Sequence, residues 1–532
     1  MNENSGAEKG REGEAETGKV SRFSFSALFS FSALLIVLHV VIALYPAYYL
    51  NIWKDEASTL YTTRNGFLDT LFNVSANEKQ APLYFLVLSL WRIFNDSIFF
   101  ARIFSIIWSA AAIKFFYDLA QRFVDKPAAK FLTAFFAVHP FLIWASVEIR
   151  VYLLVILFSI LLLKFFDGGY LDREKDFPAK ARSSQRRARI YFVLTAIVAL
   201  YTNYYLGFVL VGGFFALLAL RRFRLARDYF LQMMIVGAAF LPLLWILKQQ
   251  FAVRSVGFVQ EKSLVEAARI LSNRMLNFVF PMELSFDFAP SVFTLIRICF
   301  LSATAAAIVY FFAKDGFRAI GKKTFSAAII SATICAFLLA TYLSLGAEYI
   351  VIRHFSALFA PFVLFAGAFA TNVLPKKSLI YFAVLFVLLF PYTKIYKQFP
   401  NFAKQGDWAR VARFIEANEK PNQAIVVFPN FDALSLPFHY KGANPILPDG
   451  NFFAWNFEDA PSSAGAMKSE IEFVASKIPP DAEEVWLATG DICQNPKTRE
   501  SCSPLENFIE AHYTVTDTQD FYLERLRLLR KK

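Results

Sequence analysis

Two adjacent carboxylates, Asp55 and Glu56, follow the first long apolar stretch of the sequence, in the run NIWKDEAST. Such a pair is commonly no more than a solvated loop acid. Set just above a membrane, one carboxylate can also act as general base towards a nucleophile. Its neighbour can raise its pKa or share a divalent cation with it. A second group lies in WASVEIRVY, where Glu148, Arg150 and Tyr152 stand at the junction of two apolar stretches. An arginine at a membrane rim can simply snorkel to headgroups. Yet a charge at helix-centre depth costs about 2.5–3.5 kcal/mol, and a guanidinium fork matches a phosphate bidentately. A Glu and an Arg at a membrane edge are therefore a functional candidate. The run EYIVIRHFSALFAPF puts Arg353 and His354 at the start of another apolar stretch, with Pro361 downstream. The turn YTNYY, which contains Tyr204, completes the set. Its tyrosines suit an interfacial aromatic belt equally well.

The elements that must position these residues are membrane helices. Of 532 residues, 56% are hydrophobic, 17% aromatic and only 18% charged, with 62 Phe. Mean hydropathy is +0.42. A soluble domain is about a quarter charged, so this composition excludes one. The net charge of +12 does not point to nucleic acid, because Lys and Arg gather in short loops and no basic reading face accompanies them.

Apolar spans fall at about 25–47, 98–120, 128–146, 149–166, 190–203, 204–220, 229–247, 290–313, 324–346, 355–373 and 378–395. Most approach or exceed the length that crosses hydrocarbon as a helix. The segment QAPLYFLVLSLWRIF (80–94) is short for a span. Loop charge decides its place. If it crosses, the basic loops at 173–189, 221–227 and 314–323 all fall outside; if it lies along the interface, all fall inside. The Lys/Arg bias selects the second arrangement. About eleven spans result, with the N-terminus inside and residues 396–532 outside.

Three regions follow. Residues 1–24 read as a disordered cytoplasmic tail, 25–395 as the transmembrane domain with a first outer loop at 48–97, and 396–532 as a small extracytoplasmic α/β domain. In that last region DWARVARFIEAN (407–418) has helical spacing, with Asp407 suited to the N-cap or first turn. AIVVFPN (424–430) and EEVWLATG (483–490) read as strands, ENFIEAHY (506–513) as a helix and FYLERLRLL (521–529) as a last strand. Cys299 and Cys335 lie in apolar spans, whereas Cys493 and Cys502 lie in the polar C-terminal region. A disulfide between the latter two is expected if that region faces an oxidising compartment. No P-loop, dinucleotide fingerprint, zinc spacing or serine-hydrolase elbow occurs in useful context, so nucleotide-driven chemistry has no visible support.

In chain order the motifs are Asp55-Glu56, Pro82-Leu83-Tyr84, Ala101-Arg102-Ile103-Phe104-Ser105, then Pro140, Ser146, Glu148, Arg150 and Tyr152, and finally Arg353-His354 with Pro361. As an ordered set over about 50–365 they resemble the GT-C-fold glycosyltransferases of family 39, the protein mannosyltransferase and aminoarabinose transferase kind. Members often carry His-Pro-Pro-Leu-Tyr where this chain has Gln80-Ala81-Pro82-Leu83-Tyr84, and a Tyr where His354 stands. The resemblance implies inverting transfer of a sugar from a polyprenyl-phosphate donor to an acceptor at the extracytoplasmic face of the cell membrane. Asp55 would take the acceptor's proton, and Glu56 would orient an arginine or the acceptor. Arg150 and Arg353, with Glu148, Tyr152 and His354, would hold the donor phosphate. Gln80, Tyr84 and Tyr204 would face the acceptor. A divalent cation is left open, and no other cofactor is implied.

Two other classes remain: a transporter or flippase of lipid-linked sugar, and a membrane scaffold that binds through its C-terminal domain. Transporters tend to show internal repeats and helices broken at mid-depth. Here no convincing repeat is found, and the polar residues gather at one face.

Overall fold

The computed structural model describes residues 30–78, 80–171, 179–252, 263–279, 320–345, 352–373, 406–428, 430–447, 478–494 and 499–532, with scattered positions at 294–313 and 471–476. The tail expected at 1–24 and the span expected at 378–395 lie outside the described residues, and 290–313 is described only at scattered helical positions.

A first long helix, α1 (Phe31–Tyr49), is followed by three short ones, α2 (Lys54–Thr62), α3 (Phe67–Asn77) and α4 (Leu83–Arg92). Next come α5 (Ile98–Ala120), α6 (Lys126–Val138), α7 (Pro140–Val147) and α8 (Tyr152–Phe166), the last extended by a π-helical turn at Asp167–Leu171. The bundle continues with α9 (Ala179–Thr202), α10 (Leu206–Ala219), α11 (Phe223–Ala252), α12 (Leu264–Val279) and α13 (Lys322–Leu345). A 3₁₀ turn at Ile352–Phe355 leads into α14 (Ser356–Val373).

Among the described residues six helices are long and apolar enough to cross a membrane, or seven if the pair α6–α7, bent by 48°, is one span. The bend has a local cause. Pro140 lacks the amide that would continue α6, and the His139 ring restarts the helix by accepting the Phe141 amide at 3.1 Å. The segment expected to lie along the interface forms α4. Its ten residues extend only about 15 Å, half the hydrocarbon thickness. Its far end turns Leu90, Ile93 and Phe94 outward. Helix α12 has no counterpart in the sequence reading, because Glu266, Arg269, Ser272, Asn273 and Arg274 interrupt its hydropathy.

The bundle closes on aromatic stacks and small residues. Phe116 and Phe136 stack at 4.1 Å, and Phe136 meets Phe359 at 5.3 Å, joining α5, α6 and α14. Gly212 lets α10 approach α13, since a Cβ there would sit 2.8 Å from the Ile330 Cα.

Charges mark the end remote from the acidic pair. Asp167, buried at the end of α8, pairs with Arg122 at 2.7 Å and Lys323 at 3.1 Å. Arg222 donates to the Tyr170 carbonyl at 2.7 Å.

The C-terminal region is the expected small α/β domain. It contains α15 (Trp408–Asn418), β1 (Ala424–Phe428), 3₁₀ turns at Asn430–Leu434 and Leu436–Phe438, β2 (Ile446–Leu447), β3 (Glu484–Thr489), α16 (Asp491–Gln494), α17 (Ser503–His512), β4 (Tyr513–Asp520) and β5 (Arg525–Lys531). The sheet order is β2-β1-β3-β5-β4. β1 runs parallel to β2 and β3, while β5 is antiparallel to both β3 and β4. Strand β4 was not expected, since YTVTDTQD has too few apolar residues to read as a strand. Asp407 stands at the N-cap of α15, but its carboxylate bonds Arg410 instead of capping an amide. Cys493 and Cys502 are joined, with Cα atoms 5.6 Å apart.

Candidate active site

The site is built where α1 ends. Carbonyls at a helix end lack intrahelical donors, and Arg102 from α5 gathers those at and just beyond this one, donating to Ala47 O at 3.0 Å, Leu50 O at 2.7 Å and Asn51 O at 3.0 Å. A cation there also complements the helix dipole. The same guanidinium meets Glu56 at 3.2 Å, with both side chains fully buried. Glu56 further accepts the Ile149 amide at 3.1 Å. It therefore anchors the Glu148–Arg150 turn and Arg102, and faces away from any solvent-reached space.

Successive residues on a helix point about 100° apart, so Asp55 turns elsewhere. Its Oδ2 lies 2.8 Å from Arg353 Nη1, with the side chains 20% and 32% exposed, respectively. These are the accessible charges of the group. Arg353 also rests over the Trp53 ring at 5.7 Å, and the Trp53 indole donates to Glu148 Oε2 at 3.0 Å. Glu148 is fully buried, and its carbonyl accepts the Ser105 hydroxyl at 2.8 Å.

Arg150 turns beneath α2. It donates to Thr59 Oγ1 at 2.7 Å and the Asp55 carbonyl at 3.2 Å, and it pairs with Glu78 at 3.3 Å. Glu78 was not among the residues selected from sequence. It is a lone acid in SANEKQ with no motif around it, and only the fold brings it to Arg150. Ser58 also donates to it, at 3.0 Å. Burial pushes the Glu78 carboxyl up, against the opposing influence of Arg150 and Ser58.

The remaining selected residues surround this core. Tyr152 stacks on Trp144 at 5.2 Å. The Tyr84 hydroxyl and the Gln80 side-chain oxygen are buried and find no hydrogen-bond partner among the described residues. Buried polar atoms of this kind call for water or a bound molecule. Tyr204 donates to Gln250 Oε1 at 3.2 Å, and Gln250 Nε2 donates to the Gln80 carbonyl at 2.9 Å. Gln250, at the end of α11, thus ties Tyr204 to Gln80. His354 lies edge-on to Tyr205 at 5.3 Å.

The C-terminal domain seats on α2. Asn51 Nδ2 donates to Gly406 O at 2.7 Å, and the Ile52 amide donates to His439 Nε2 at 3.3 Å. Lys54 faces Asp432 at 3.7 Å, and the Tyr61 ring meets Phe438 at 5.2 Å. Gly406 has φ +114°, a conformation suited to glycine.

The carboxylates do not converge as a cation site. Asp55, Glu56 and Glu78 each face their own arginine, and no group of three His, Cys, Asp or Glu among the described residues could hold a metal ion. Chemically, the arrangement offers one accessible base and one accessible guanidinium in contact, over a rigid buried charge lattice.

No protein-family model matches the chain, and no curated protein does. Among solved structures, it is similar to ArnT from Cupriavidus metallidurans bound to undecaprenyl phosphate. Identity is 13% and the TM-score 0.43, over 95% of this chain and 98% of that one. It is also similar to the Archaeoglobus fulgidus oligosaccharyltransferase in complex with zinc and sulfate. Identity is 14% and the TM-score 0.47, over 89% of this chain and 69% of that one. A third is the archaeal oligosaccharyltransferase AglB from the same organism, in complex with an inhibitory peptide and a dolichol-phosphate. There identity is 12% and the TM-score 0.44, over 92% and 73% of the two chains.

Proposed function

We propose that this chain is a membrane glycosyltransferase of GT-C type, which moves a sugar from a polyprenyl-phosphate donor to an acceptor at the extracytoplasmic face. The Asp55–Arg353 pair carries the reading: a carboxylate and a guanidinium, both accessible, sit at one end of an apolar helical bundle. Arg353 has donors enough to grip a phosphate. A donor phosphate that engages Arg353 loosens its hold on Asp55 and frees the carboxylate as a base. The acceptor's hydroxyl or amine then attacks the anomeric carbon, the bond from that carbon to the phosphate oxygen breaks, and the proton passes to Asp55. Polyprenyl phosphate leaves with the electron pair, its charge stabilised by Arg353, with Arg150 behind α2 adding positive potential. A single displacement inverts the sugar and needs no covalent enzyme intermediate. Tyr84 and Gln80 supply polar atoms for the acceptor.

Sidedness is supported by charge. The run RRFRLAR (221–227) and the ion-paired Lys323 and Arg122 lie at the end opposite Asp55, which the positive-inside rule assigns to the cytoplasm. Reporters fused after Lys180 and Gly450 are expected on opposite sides.

One observation favours transport of a lipid-linked sugar instead: the break between α6 and α7 at His139, of the kind found in transporters. Purified protein given labelled polyprenyl-phosphate sugar with a panel of acceptors separates the two. Label on acceptor with release of polyprenyl phosphate supports transfer. Movement of intact donor across a vesicle wall, with no bond cleaved, supports transport.

A further inference from the structure

The last three residues before α2, Asn51, Ile52 and Trp53, are gripped from two sides. From the membrane domain, Arg102 takes the Asn51 carbonyl and Glu148 takes the Trp53 indole. From the C-terminal domain, Gly406 O takes the Asn51 side chain and His439 Nε2 takes the Ile52 amide. Asp55 follows within one helical turn. Further contacts to α2, Lys54 with Asp432 and Tyr61 with Phe438, keep the domain registered along the helix.

We propose that His439 is a positioning residue for Asp55, accepting the Ile52 amide so that the docked C-terminal domain fixes the entry into α2 and becomes part of the site. This rests on the transferase reading for its consequence, though not for the contact itself. To accept from an amide, Nε2 must be unprotonated, with the ring proton on Nδ1; an imidazolium has no acceptor left. The charged groups facing the ring are Arg102 from α5, Glu56 from α2 and Arg413 from α15. Burial, followed by the Arg102 charge, lowers the His439 pKa to about 4 from the ordinary 6.5, with Glu56 opposing.

The sign follows. The undocked ring takes a proton below its ordinary pKa, while the docked ring resists it. Docking is therefore complete above about pH 6.5 and weakens as pH falls towards about 4. A transferase assembled this way loses turnover on acidification as the His439 contact is lost.

The test compares His439→Ala with His439→Gln in the full chain. A glutamine amide oxygen can accept the Ile52 amide but does not titrate. Two readouts are taken: sugar transfer against pH, and hydrogen exchange of the peptide holding residues 50–53. His439→Ala is expected to lose about tenfold in kcat, with KM for the donor little changed, and to exchange the peptide faster. His439→Gln is expected to restore protection at neutral pH and to flatten the acid fall of kcat. An acid limb unchanged in His439→Gln, or wild-type kcat in His439→Ala, overturns the proposal. If wild-type protein transfers no sugar while the exchange still responds to His439, the transferase reading fails and the docking contact stands. An unchanged thermal transition of the C-terminal domain in both variants is the check that it is folded.

Discussion

Arg353 Nη1 and Asp55 Oδ2 meet at 2.8 Å across 298 residues of sequence. The contact closes the bundle end, joining the turn before α14 to the first turn of α2. It also separates the two adjacent carboxylates by role. Asp55 faces an accessible arginine, while Glu56, one residue on, is fully buried against Arg102.

That division makes the pair separable by mutation. Glu56→Gln leaves the Arg102 guanidinium buried without its counter-charge, which typically costs about 3–5 kcal/mol. We expect a lower unfolding temperature in detergent and poor yield. Asp55→Asn, on a partly exposed side chain, is expected to unfold within a few degrees of wild type. Equal thermal losses in the two variants would contradict the division.

The disulfide is expected to stabilise the C-terminal domain. It closes a loop with a sequence separation of 9, and chain entropy gives about 3 kcal/mol for a loop of that size. Cys502→Ser should lower the domain's unfolding temperature, and both thiols should resist alkylation in native membranes until reductant is added. Free labelling of both without reductant would count against it.

Glu484 gives that domain an acid limit. Arg530, Lys420 and Gln423 surround its carboxylate, and hydrogen bonds from Arg530 and then Lys420 hold it down at about 2, against an ordinary 4.5. A depressed carboxylate contributes stability above its ordinary pKa and loses it as pH falls through the folded value. The domain's thermal stability should therefore fall from about pH 4.5 down to about pH 2. Glu484→Gln should remove most of that slope.

The sequence disclosed what depends on composition and on short motifs. Long apolar runs exposed α1, α5, α8, α11, α13 and α14. The strand-like runs exposed β1 and β3. Hidden from it was whatever depends on long-range packing. Glu78 stands in SANEKQ with no pattern to mark it, and only the fold sets it against Arg150. Gln250, at the end of a hydrophobic helix, gave no hint that it ties Tyr204 to Gln80. Glu56 was expected to orient an arginine or the acceptor, and only the fold sets it against Arg102. Helix α12 and strand β4 were missed because polar residues dilute their periodicity. The seat of the C-terminal domain on α2 rests on Gly406, Asp432, Phe438 and His439, none of which forms a recognisable motif.

In the proposed transfer, Asp55 and Arg353 act together. The direct measurement is single-turnover transfer from a labelled polyprenyl-phosphate sugar by purified wild type, Asp55→Asn and Arg353→Ala at matched folded concentration. Loss of the base is expected to slow transfer roughly 10²–10⁴-fold, and loss of the guanidinium roughly 10²–10³-fold. Transfer at wild-type rates in both variants would contradict the account.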